Sequence, residues 1–452
     1  MSDAFTREPP WNPRLFPPAY RTPRAVQTAR NLLDPQGYGH SLRRRFGPVF
    51  SLRMFPYRSA LVCATDAATN REVLTDHERF PGGDASAGLA AVVGAGSLIC
   101  TPPPVHLRHR KLLLPPFHGR QVTRWTEGVR ELVRAELPDL LADGPKPVRP
   151  WAQRLTLDVI LRVVLGLTDP ARTAEFRQAL NAFVGMGNFP VLFLPRPLRR
   201  DFGPFSPGGR FHRRRAAARD LILEEIVARR AAPDRAERDD VLSMLLDARD
   251  EHGVGLSDEQ VLDELMGLVL AGHETTAASI AWTLHLLAHH PTVRDDLIAD
   301  LDAGSDRLLK AVIKESGRLR PAVYGSLRTA AYDTELGGHP VPGHAFVAAL
   351  FPLTHHDPEL WPKPDAFRPE RHLGADDAVP YSLTPFGGGV RRCIGVSLAQ
   401  LEVETVLRET LAAAVPEEAG PPESTRLMAV ILVPTRGGRV RLRRRRPHRA
   451  DR

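Results

Sequence analysis

Residues 386–395 read FGGGVRRCIG in one-letter code, which places a cysteine after three consecutive glycines and two arginines. Glycines let the backbone turn sharply and approach a flat ligand closely, because they lack a Cβ atom. The thiolate is the form of cysteine that binds metals, and its pKa falls beside arginines or at a helix N-terminus. Arg391, Arg392 and a predicted helix start at Gly395 supply both conditions. We therefore interpret Cys393 as a metal ligand; the alternative is a small buried cysteine in a tight turn.

The pattern Phe-x-x-Gly-x-Arg-x-Cys-x-Gly in this segment resembles the haem-binding segment of the cytochrome P450 family. The resemblance implies haem b, iron protoporphyrin IX, with the Cys393 thiolate as axial ligand of the iron. It also implies that Phe386 packs beside the sulfur, and that Ala271 and Gly395 belong to the cofactor-binding residues. The implied fold is mostly α with small β-sheets (α+β). In this single large helical domain, the haem lies between a long central helix and the helix after the cysteine.

The composition is that of a globular protein. The chain has 452 residues, of which 42% are hydrophobic and 25% charged, enough for a large core. Its three cysteines, Cys63, Cys100 and Cys393, are too few and too scattered for a disulfide framework, which favours a reducing cytoplasm. The sequence starts with no secretory signal and contains no apolar run near the ~18 residues that a spanning helix needs. We expect a soluble, cytoplasmic protein without a stable membrane anchor.

The positive charge is concentrated at the C-terminus. The net charge is +8, and residues 439–452 hold eight arginines and one aspartate. We expect a cytochrome P450-type domain over 1–438, followed by the end of the last strand and an arginine-rich tail over 439–452. The run 443–446 is typical of a solvated terminus, although a basic binding protein remains an alternative. No zinc spacing or basic heptad helix accompanies this charge, so we expect no nucleic-acid partner.

The order of predicted elements is strands, then mostly helices, then a few strands. Alternating apolar and polar residues at 46–54 and 57–64 predict a hairpin. Prolines and glycines at 194–209 predict a loop. No change of composition marks a linker, which favours one domain. Apolar spacing predicts helices over 67–76, 105–114, 122–137, 149–166, 173–184 and 213–231.

A long helix is predicted from Ser257 to about His289. Ser257 and Gln260 have the spacing of a capping box, and the apolar centre at 265–270 indicates burial in the core. Residues 271–276 read AGHETT and interrupt this apolar stretch with an acid and two hydroxyls. A threonine hydroxyl there can bond the carbonyl one turn back, which together with the glycine leaves a groove in the helix.

The segment at 271–276 is similar to the oxygen-binding segment of the same family. The resemblance implies that Glu274 and Thr275 are the acid and the alcohol that carry protons during oxygen activation, and makes them the candidate catalytic residues. The alternative is a bent helix with a solvated glutamate, because polar groups in cores indicate function only in some proteins.

Glu315 and Arg318 stand three residues apart and share one face of a predicted helix. The resemblance implies that this pair and Arg371, from the segment 367–372, form a buried structural network beneath the haem. Taken alone, a Glu-x-x-Arg pair is equally typical of an exposed helix surface.

Basic side chains are expected to neutralise the two haem propionates. The candidates are His106 and Arg110, four apart on one helix, Arg328 after the Glu-x-x-Arg helix, and Arg391 beside the cysteine. We interpret His109 as a surface residue.

The resemblance implies a monooxygenase that inserts one oxygen atom of dioxygen into a small hydrophobic substrate, by hydroxylation or epoxidation. No Gly-x-Gly-x-x-Gly segment or cysteine cluster is present, so electrons must come from a separate protein. Arg391 and Arg392 predict a positive face for an acidic ferredoxin or flavodoxin, so that added salt slows reduction. The alternative is a haem-thiolate protein with another role: peroxide-driven, isomerase-like or sensor.

By analogy with the family, five segments line the substrate pocket, and most of their residues are apolar. Fatty acids, terpenoids, polyketides and aromatic compounds all remain open as substrates. Phe183, Met186 and Phe189 fit ordinary core packing at least as well. The segments are 89–98, 176–189, 268–275, 322–325 and 428–432.

Overall fold

Helices precede the first strand that the structure describes, whereas the sequence predicted strands first. A computed structural model describes residues 7–184, 200–203, 205–374 and 378–445. The first helices are α1 (Arg24–Leu33), α2 (Pro35–Phe46), α3 (Ala67–Thr75), α4 (Ala90–Val93), α5 (Val105–Leu113), α6 (Arg120–Arg124), α7 (Thr126–Leu140), α8 (Val148–Val163) and α9 (Pro170–Val184). The later helices are α10 (Pro207–Ala231), α11 (Val241–Asp247), α12 (Asp258–His289), α13 (Pro291–Asp302), α14 (Arg307–Leu319), α15 (Phe351–His355) and α16 (Val396–Ala413).

The strands form small sheets beside this helical body. The largest has the order β1 (Val49–Leu52), β2 (Leu61–Ala64), β7 (Phe346–Leu350), β4 (Gly325–Thr329). In it β1 and β2 are the predicted hairpin, with Val49 opposite Ala64, and β2 runs parallel to β7. The other sheets contain β3 (Lys146–Pro147), β11 (Arg439–Arg444) and β8 (Ala414–Glu418); β9 (Thr425–Met428) and β10 (Ile431–Pro434); and β5 (Thr334–Leu336) and β6 (His339–Val341).

Helix α12 crosses the core as predicted. Ser257 Oγ accepts from the Gln260 N–H at 3.3 Å, and Gln260 Oε1 accepts from the Ser257 N–H at 2.9 Å, so the capping box is confirmed. Helix α12 packs against α8 and α16, and its flanks are buried in the largest apolar cluster of the protein. At about 1.5 Å per residue, its 32 residues reach about 48 Å, the width of a large domain. The mostly α architecture with small sheets is thus confirmed.

Several predicted boundaries differ from the structure. Phe46 ends α2 instead of starting a strand, and the predicted helix over 122–137 is divided between α6 and α7 at Trp125. Pro207 does not extend a loop but begins α10, because a proline at the first helical position lacks only an N–H that has no helical partner. Residues 194–199 and 204 of the predicted loop lie outside the described residues.

The C-terminal arginines are better ordered than predicted. Strand β11 continues to Arg444, and Arg443 Nε donates to Glu417 Oε1 of the neighbouring strand at 2.6 Å. Arg445 forms an ion pair with Asp302 at 2.6 Å. Arg443 and Arg444 are exposed, as a solvated terminus requires, but they belong to a strand rather than to a frayed end. Residues 446–452 lie outside the described residues. No helix in the described part of the chain has the length and apolar character to cross a membrane.

Candidate functional site

Cys393 lies in a tight loop that ends at the first turn of α16. We name residues 384–395 the cysteine loop. The Cys393 N–H donates to the Phe386 carbonyl at 2.9 Å, which closes the loop on itself. Gly389 has φ +63°, and a Cβ there would lie 2.0 Å from the Leu74 carbonyl oxygen. Only glycine fits this left-handed, closely packed position, so the glycine run is needed to form the loop.

The Cys393 side chain is accessible to solvent although protein atoms surround it on most sides. Burial raises the pKa of its free thiol, while a hydrogen bond from the Gly395 amide and the charges of Arg110 and Arg392 lower it. Burial is the larger effect, so the predicted net lowering is wrong for the free thiol. A bound iron would hold the sulfur as thiolate regardless, since a coordinating thiol is deprotonated outright.

The four predicted propionate partners lie close enough together for the charges of the three arginines to lower the pKa of His106. His106 is buried on α5, and burial together with the charges of Arg391, Arg110 and Arg328 lowers its pKa to about 3. Its Nδ1 atom has no hydrogen-bond partner among the described residues. Four residues predicted from three separate segments of the sequence are therefore brought together by the fold. A positive cluster with an orphaned buried nitrogen fits the two carboxylates of a haem.

Arg328 provides the strongest test of this fit. Burial lowers the pKa of its guanidinium to about 10. The guanidinium donates to Ser326 Oγ at 2.7 Å and to the Leu327 carbonyl at 2.9 Å, but it pairs with no carboxylate in the described part of the chain. Burying a cation without an anion is unfavourable. Arg328 is thus placed for an anion that this chain does not itself supply, and a propionate has the required chemistry.

Arg328→Met should have opposite effects on the haem-free and haem-loaded protein. We expect the free energy of unfolding of the haem-free protein to rise by about 1–3 kcal/mol, because an unpaired buried charge is removed. Haem transfer to an acceptor globin should become about tenfold faster, because a propionate partner is lost. Arg441→Met, in the exposed part of β11, is the control and should change neither quantity. Faster haem transfer without stabilisation of the haem-free chain would contradict an unpaired Arg328.

The hydrogen bond predicted for the centre of α12 is present. Thr275 Oγ1 donates to the Ala271 carbonyl one turn back at 2.7 Å, as the sequence predicted. Ala271 is exposed although the flanking turns of the helix are buried, so this part of α12 faces a cleft. A hydroxyl that bonds the carbonyl four residues back is common where helices bend.

Glu274 is neither solvated nor bonded to the Thr275 hydroxyl. Its carboxylate accepts from Arg149 Nη2 at 2.7 Å and from Gln153 Nε2 at 2.6 Å, both on α8. The solvated-glutamate alternative is therefore wrong. No local pattern indicates these partners, because they lie more than 120 residues from Glu274 along the chain. His273, its neighbour on α12, is buried with no hydrogen-bond partner for either ring nitrogen among the described residues.

The predicted Glu315, Arg318 and Arg371 network is present and buried. Arg318 donates to both carboxylate oxygens of Glu315, at 2.8 and 2.9 Å, and Arg371 Nε donates to Glu315 Oε1 at 3.1 Å. Both side chains of the first pair are 0% exposed. His372 is a fourth partner that the sequence analysis missed, with Nε2 at 2.9 Å from Glu315 Oε2. Burial alone would raise the pKa of Glu315, but the bonds from Arg318 and His372 lower it to about 2.

His355 links this network to the cysteine loop. Arg318 Nη1 donates to the His355 carbonyl at 2.7 Å, and His355 Nε2 accepts from the Thr384 N–H at 2.9 Å. Its Nδ1 lies 3.2 Å from the Arg318 carbonyl, so the neutral ring donates there. Burial lowers the pKa of His355 to about 3. A neutral histidine therefore holds the start of the cysteine loop.

This histidine predicts a loss of stability in mild acid. The unfolded chain binds a proton at His355 near pH 6.5, whereas the native state binds it only near pH 3, so stability falls as the pH drops below about 6.5. Between pH 7.5 and 5.5 the contribution is about 1.4 kcal/mol. In guanidinium titrations, His355→Gln should reduce the difference between the two pH values by about this amount. The exposed His77→Gln should leave it unchanged; equal slopes for the two variants would contradict the neutral-histidine account.

The interpretation of His109 as a surface residue is wrong. His109 is buried on α5, and its Nδ1 lies 2.8 Å from Glu264 Oε1 of α12. Glu264 also accepts from the Leu98 N–H at 2.8 Å, and burial raises its pKa. A signal was available, because His109 lies three residues after the buried His106 on the same helical face.

The expected pocket segments are only partly described. Phe183 is buried against Phe211, with ring centroids 6.3 Å apart, which fits core packing. Met186 and Phe189 lie outside the described residues. No group of three or more histidine, cysteine or acidic side chains could hold a metal ion in the described part of the chain.

Known proteins share this architecture. Residues 17–440 match the family model described as Cytochrome P450. A Mycobacterium tuberculosis protein named "Putative cytochrome P450 135B1" is 34% identical over 435 residues, covering 95% of this chain and 91% of that protein. Another, "Putative cytochrome P450 137", is 35% identical over 407 residues, covering 89% and 84%.

Solved structures of cytochromes P450 have a similar fold. A cyanobacterial CYP120A1 with bound retinoic acid superposes with a TM-score of 0.81 at 25% identity, covering 95% of this chain and 99% of that one. The cytochrome P450DA haem domain gives a TM-score of 0.80 at 24% identity, covering 98% of each chain. A cysteine loop in the form that the family uses to ligate haem, and a family match over nearly the whole length, lead to one conclusion. The chain belongs to the cytochrome P450 family, oxidoreductases of the monooxygenase class that characteristically bind haem through a cysteine thiolate.

Proposed function

We propose that this protein inserts one oxygen atom of dioxygen into a small hydrophobic molecule, by hydroxylation or epoxidation. The observation that carries the proposal is the solvent-accessible Cys393 side chain, held by a loop that needs glycine at position 389. We assign Cys393 as the axial ligand, with Phe386, Ala271 and Gly395 at the haem. When bound, a haem with a thiolate ligand supplies oxygen activation, because the sulfur pushes electron density towards the iron and favours O–O cleavage.

The basic cluster would hold the haem carboxylates. His106 and Arg110 approach from α5, Arg328 from β4 and Arg391 from the cysteine loop. Their convergence supports this role, since charge-assisted hydrogen bonds to carboxylates are about twice as strong as neutral ones. The Glu315, Arg318 and Arg371 network is assigned to stability of the site rather than to chemistry, because its carboxylate is fully occupied by internal partners.

Glu274 and Thr275 would deliver protons. Thr275 lies on the same face of α12 as the exposed Ala271, and its hydroxyl can leave the Ala271 carbonyl by a rotation about χ1. Glu274 is held by Arg149 and Gln153 at the edge of that face. A partly buried acid released from such partners can exchange a proton with solvent and return towards the predicted groove.

Electrons would come from a separate acidic ferredoxin or flavodoxin. Arg392, next to the sulfur ligand, is exposed, which supports docking of an acidic surface. Oxidation by peroxide without a partner is the alternative outcome. The free thiols of Cys63, Cys100 and Cys393 suit the reducing cytoplasm.

Turnover under isotopically labelled dioxygen tests the proposal. The haem-loaded protein would be supplied with NADPH, a [2Fe–2S] ferredoxin and its reductase, and a panel of fatty acids, terpenoids and aromatic compounds. Retinoic acid belongs in the panel because a protein of similar fold carries it. We expect one labelled oxygen atom per product molecule. Product formed with peroxide but not with dioxygen and reductant would overturn the proposal.

A further inference from the structure

Residues 94–101 lie directly on α12, and we name them the strap. Two successive carboxylates of α12 hold the strap by its backbone. Asp263 Oδ2 accepts from the Gly96 N–H at 2.9 Å, and Glu264 Oε2 accepts from the Leu98 N–H at 2.8 Å. Bonds from backbone amides to charged acceptors are stronger than bonds between neutral groups. The path of the strap is thus set by helix side chains as well as by its own sequence.

The contact is too close for ordinary residues at two positions. Gly94 has φ +102°, and a Cβ there would lie 1.9 Å from Asp263 Oδ1. On the helix side, a Cβ at Gly267 would lie 2.5 Å from Ser97 Oγ. Gly267 stands one turn before the exposed Ala271, so the strap covers α12 on the face that also contains Ala271. The strap therefore borders the cleft that Ala271 faces.

Both carboxylates are buried and have second partners in other helices. Asp263 accepts from Arg219 Nη1 of α10 at 2.6 Å, and Glu264 lies 2.8 Å from His109 Nδ1 of α5. Glu264 is 2% exposed. A buried carboxylate with all its partners in place is rigid, because moving it would leave charged or polar groups unpaired. The two acids thus join the strap to α5 and α10 as well as to α12.

The far end of the strap is held from the cysteine loop. Arg391 donates to the Leu98 carbonyl at 3.4 Å and also to the Thr101 carbonyl. The strap is therefore fixed at one end by the carboxylates of α12 and at the other by an arginine two residues from Cys393. Any ligand that fills the cleft beside α12 would meet a wall whose backbone is fixed at both ends.

We propose that Asp263 and Glu264 are positioning residues that fix the strap as a wall of the substrate pocket and so select ligands by size. Asp263 and Glu264 contact neither Cys393, the proposed iron ligand, nor Thr275. The oxygen-insertion reaction itself should therefore not depend on them. The statement that the strap lines a substrate pocket rests on the proposed function, whereas the statement that the strap is attached to α12 does not. The two statements can therefore fail separately.

The first test compares two glutamates of α12 in the full chain. Glu264→Met removes the acceptor for Leu98, whereas Glu264→Gln keeps an oxygen there and should restore most of the effect. Glu259→Met is the control, because Glu259 is exposed on the same helix and does not touch the strap. Hydrogen–deuterium exchange of 94–101 should be about tenfold faster in Glu264→Met only.

The second measurement separates wall position from iron chemistry by ligand size. Imidazole and 4-phenylimidazole share the same iron-binding group but differ in bulk. In Glu264→Met, we expect the Kd of 4-phenylimidazole to rise about tenfold, because binding must first order the wall. The Kd of imidazole should stay within about twofold, since the smaller ligand does not depend on the wall.

A second pair of variants changes the strap instead of the helix and disturbs the contact between them, in case Glu264→Met does not fold. Gly94→Ala places a methyl group against Asp263 and should speed exchange of the strap. Gly88→Ala is its control, because a Cβ at Gly88 meets nothing within 4 Å.

Unchanged exchange in both Glu264→Met and Gly94→Ala would overturn the inference, as would an equal loss of affinity for the two imidazoles. The exchange measurement does not require haem. Absence of a haem-thiolate spectrum would therefore defeat the proposed function and leave the attachment of the strap to be decided by exchange.

Discussion

Glu315→Gln should destabilise the protein by about 3–5 kcal/mol and sharply reduce the amount of haem-loaded protein. The substitution keeps the shape of the side chain but removes the charge, which leaves Arg318 buried without a carboxylate. It also weakens the bonds from Arg371 and His372 to the same oxygens. Because Arg318 reaches the cysteine loop through His355, we expect haem retention to fall together with stability. Guanidinium unfolding and the ratio of haem to protein absorbance measure the two effects.

Glu175→Gln is the matched control for this prediction. Glu175 pairs with Arg172 at the same three-residue spacing in α9, but its side chain is 52% exposed. An exposed pair of this kind contributes about 0.2–1 kcal/mol. A change below about 1 kcal/mol in Glu315→Gln, or equal changes in the two variants, would contradict a buried structural network.

Thr275→Ala should separate electron use from product formation. Oxidation of NADPH should continue, but product per NADPH should fall at least about tenfold and hydrogen peroxide should accumulate, because the positioned alcohol that delivers protons is lost. Oxygen consumption, peroxide and product are measured in the same reaction, with whichever substrate of the panel is turned over.

The neighbouring Thr276→Ala serves as the control for Thr275. Thr276 is buried and lies a third of a turn further round the helix, so its loss removes packing without touching the Ala271 carbonyl. We expect its coupling to stay close to that of the natural protein. Unchanged coupling in Thr275→Ala, or equal uncoupling in both variants, would argue against a proton-delivery role.

Local patterns carried most of the prediction of the fold. The capping box at Ser257 fixed the start of α12 to within one residue, since both of its hydrogen bonds involve side chains only three residues apart. Helix α2 was missed because its glycines and arginines weaken the apolar period, whereas α1 was missed although its apolar and polar residues lie on opposite faces. Pro207 was read as a loop residue because a proline that breaks a helix and one that begins a helix look alike in sequence.

In the candidate site, too, local patterns were predicted and long-range contacts were not. Cys393 and the Glu315–Arg318 pair follow spacings that a single segment contains. The partners of Glu274 and Glu264 could not be predicted, because Arg149 and His109 reach them across more than 120 residues. The pKa of the Cys393 thiol was predicted in the wrong direction for a related reason. Flanking arginines are visible in sequence, whereas the burial that outweighs them is a property of the tertiary structure.

The carbon monoxide difference spectrum of the reduced protein tests the central claim most directly. The account predicts the band of a thiolate-ligated haem in the natural protein. It also predicts that the band is retained in Cys63→Ser, which alters a buried cysteine of β2, and lost in Cys393→Ser. Absence of the band in the natural protein, or its persistence in Cys393→Ser, would contradict Cys393 as the axial ligand.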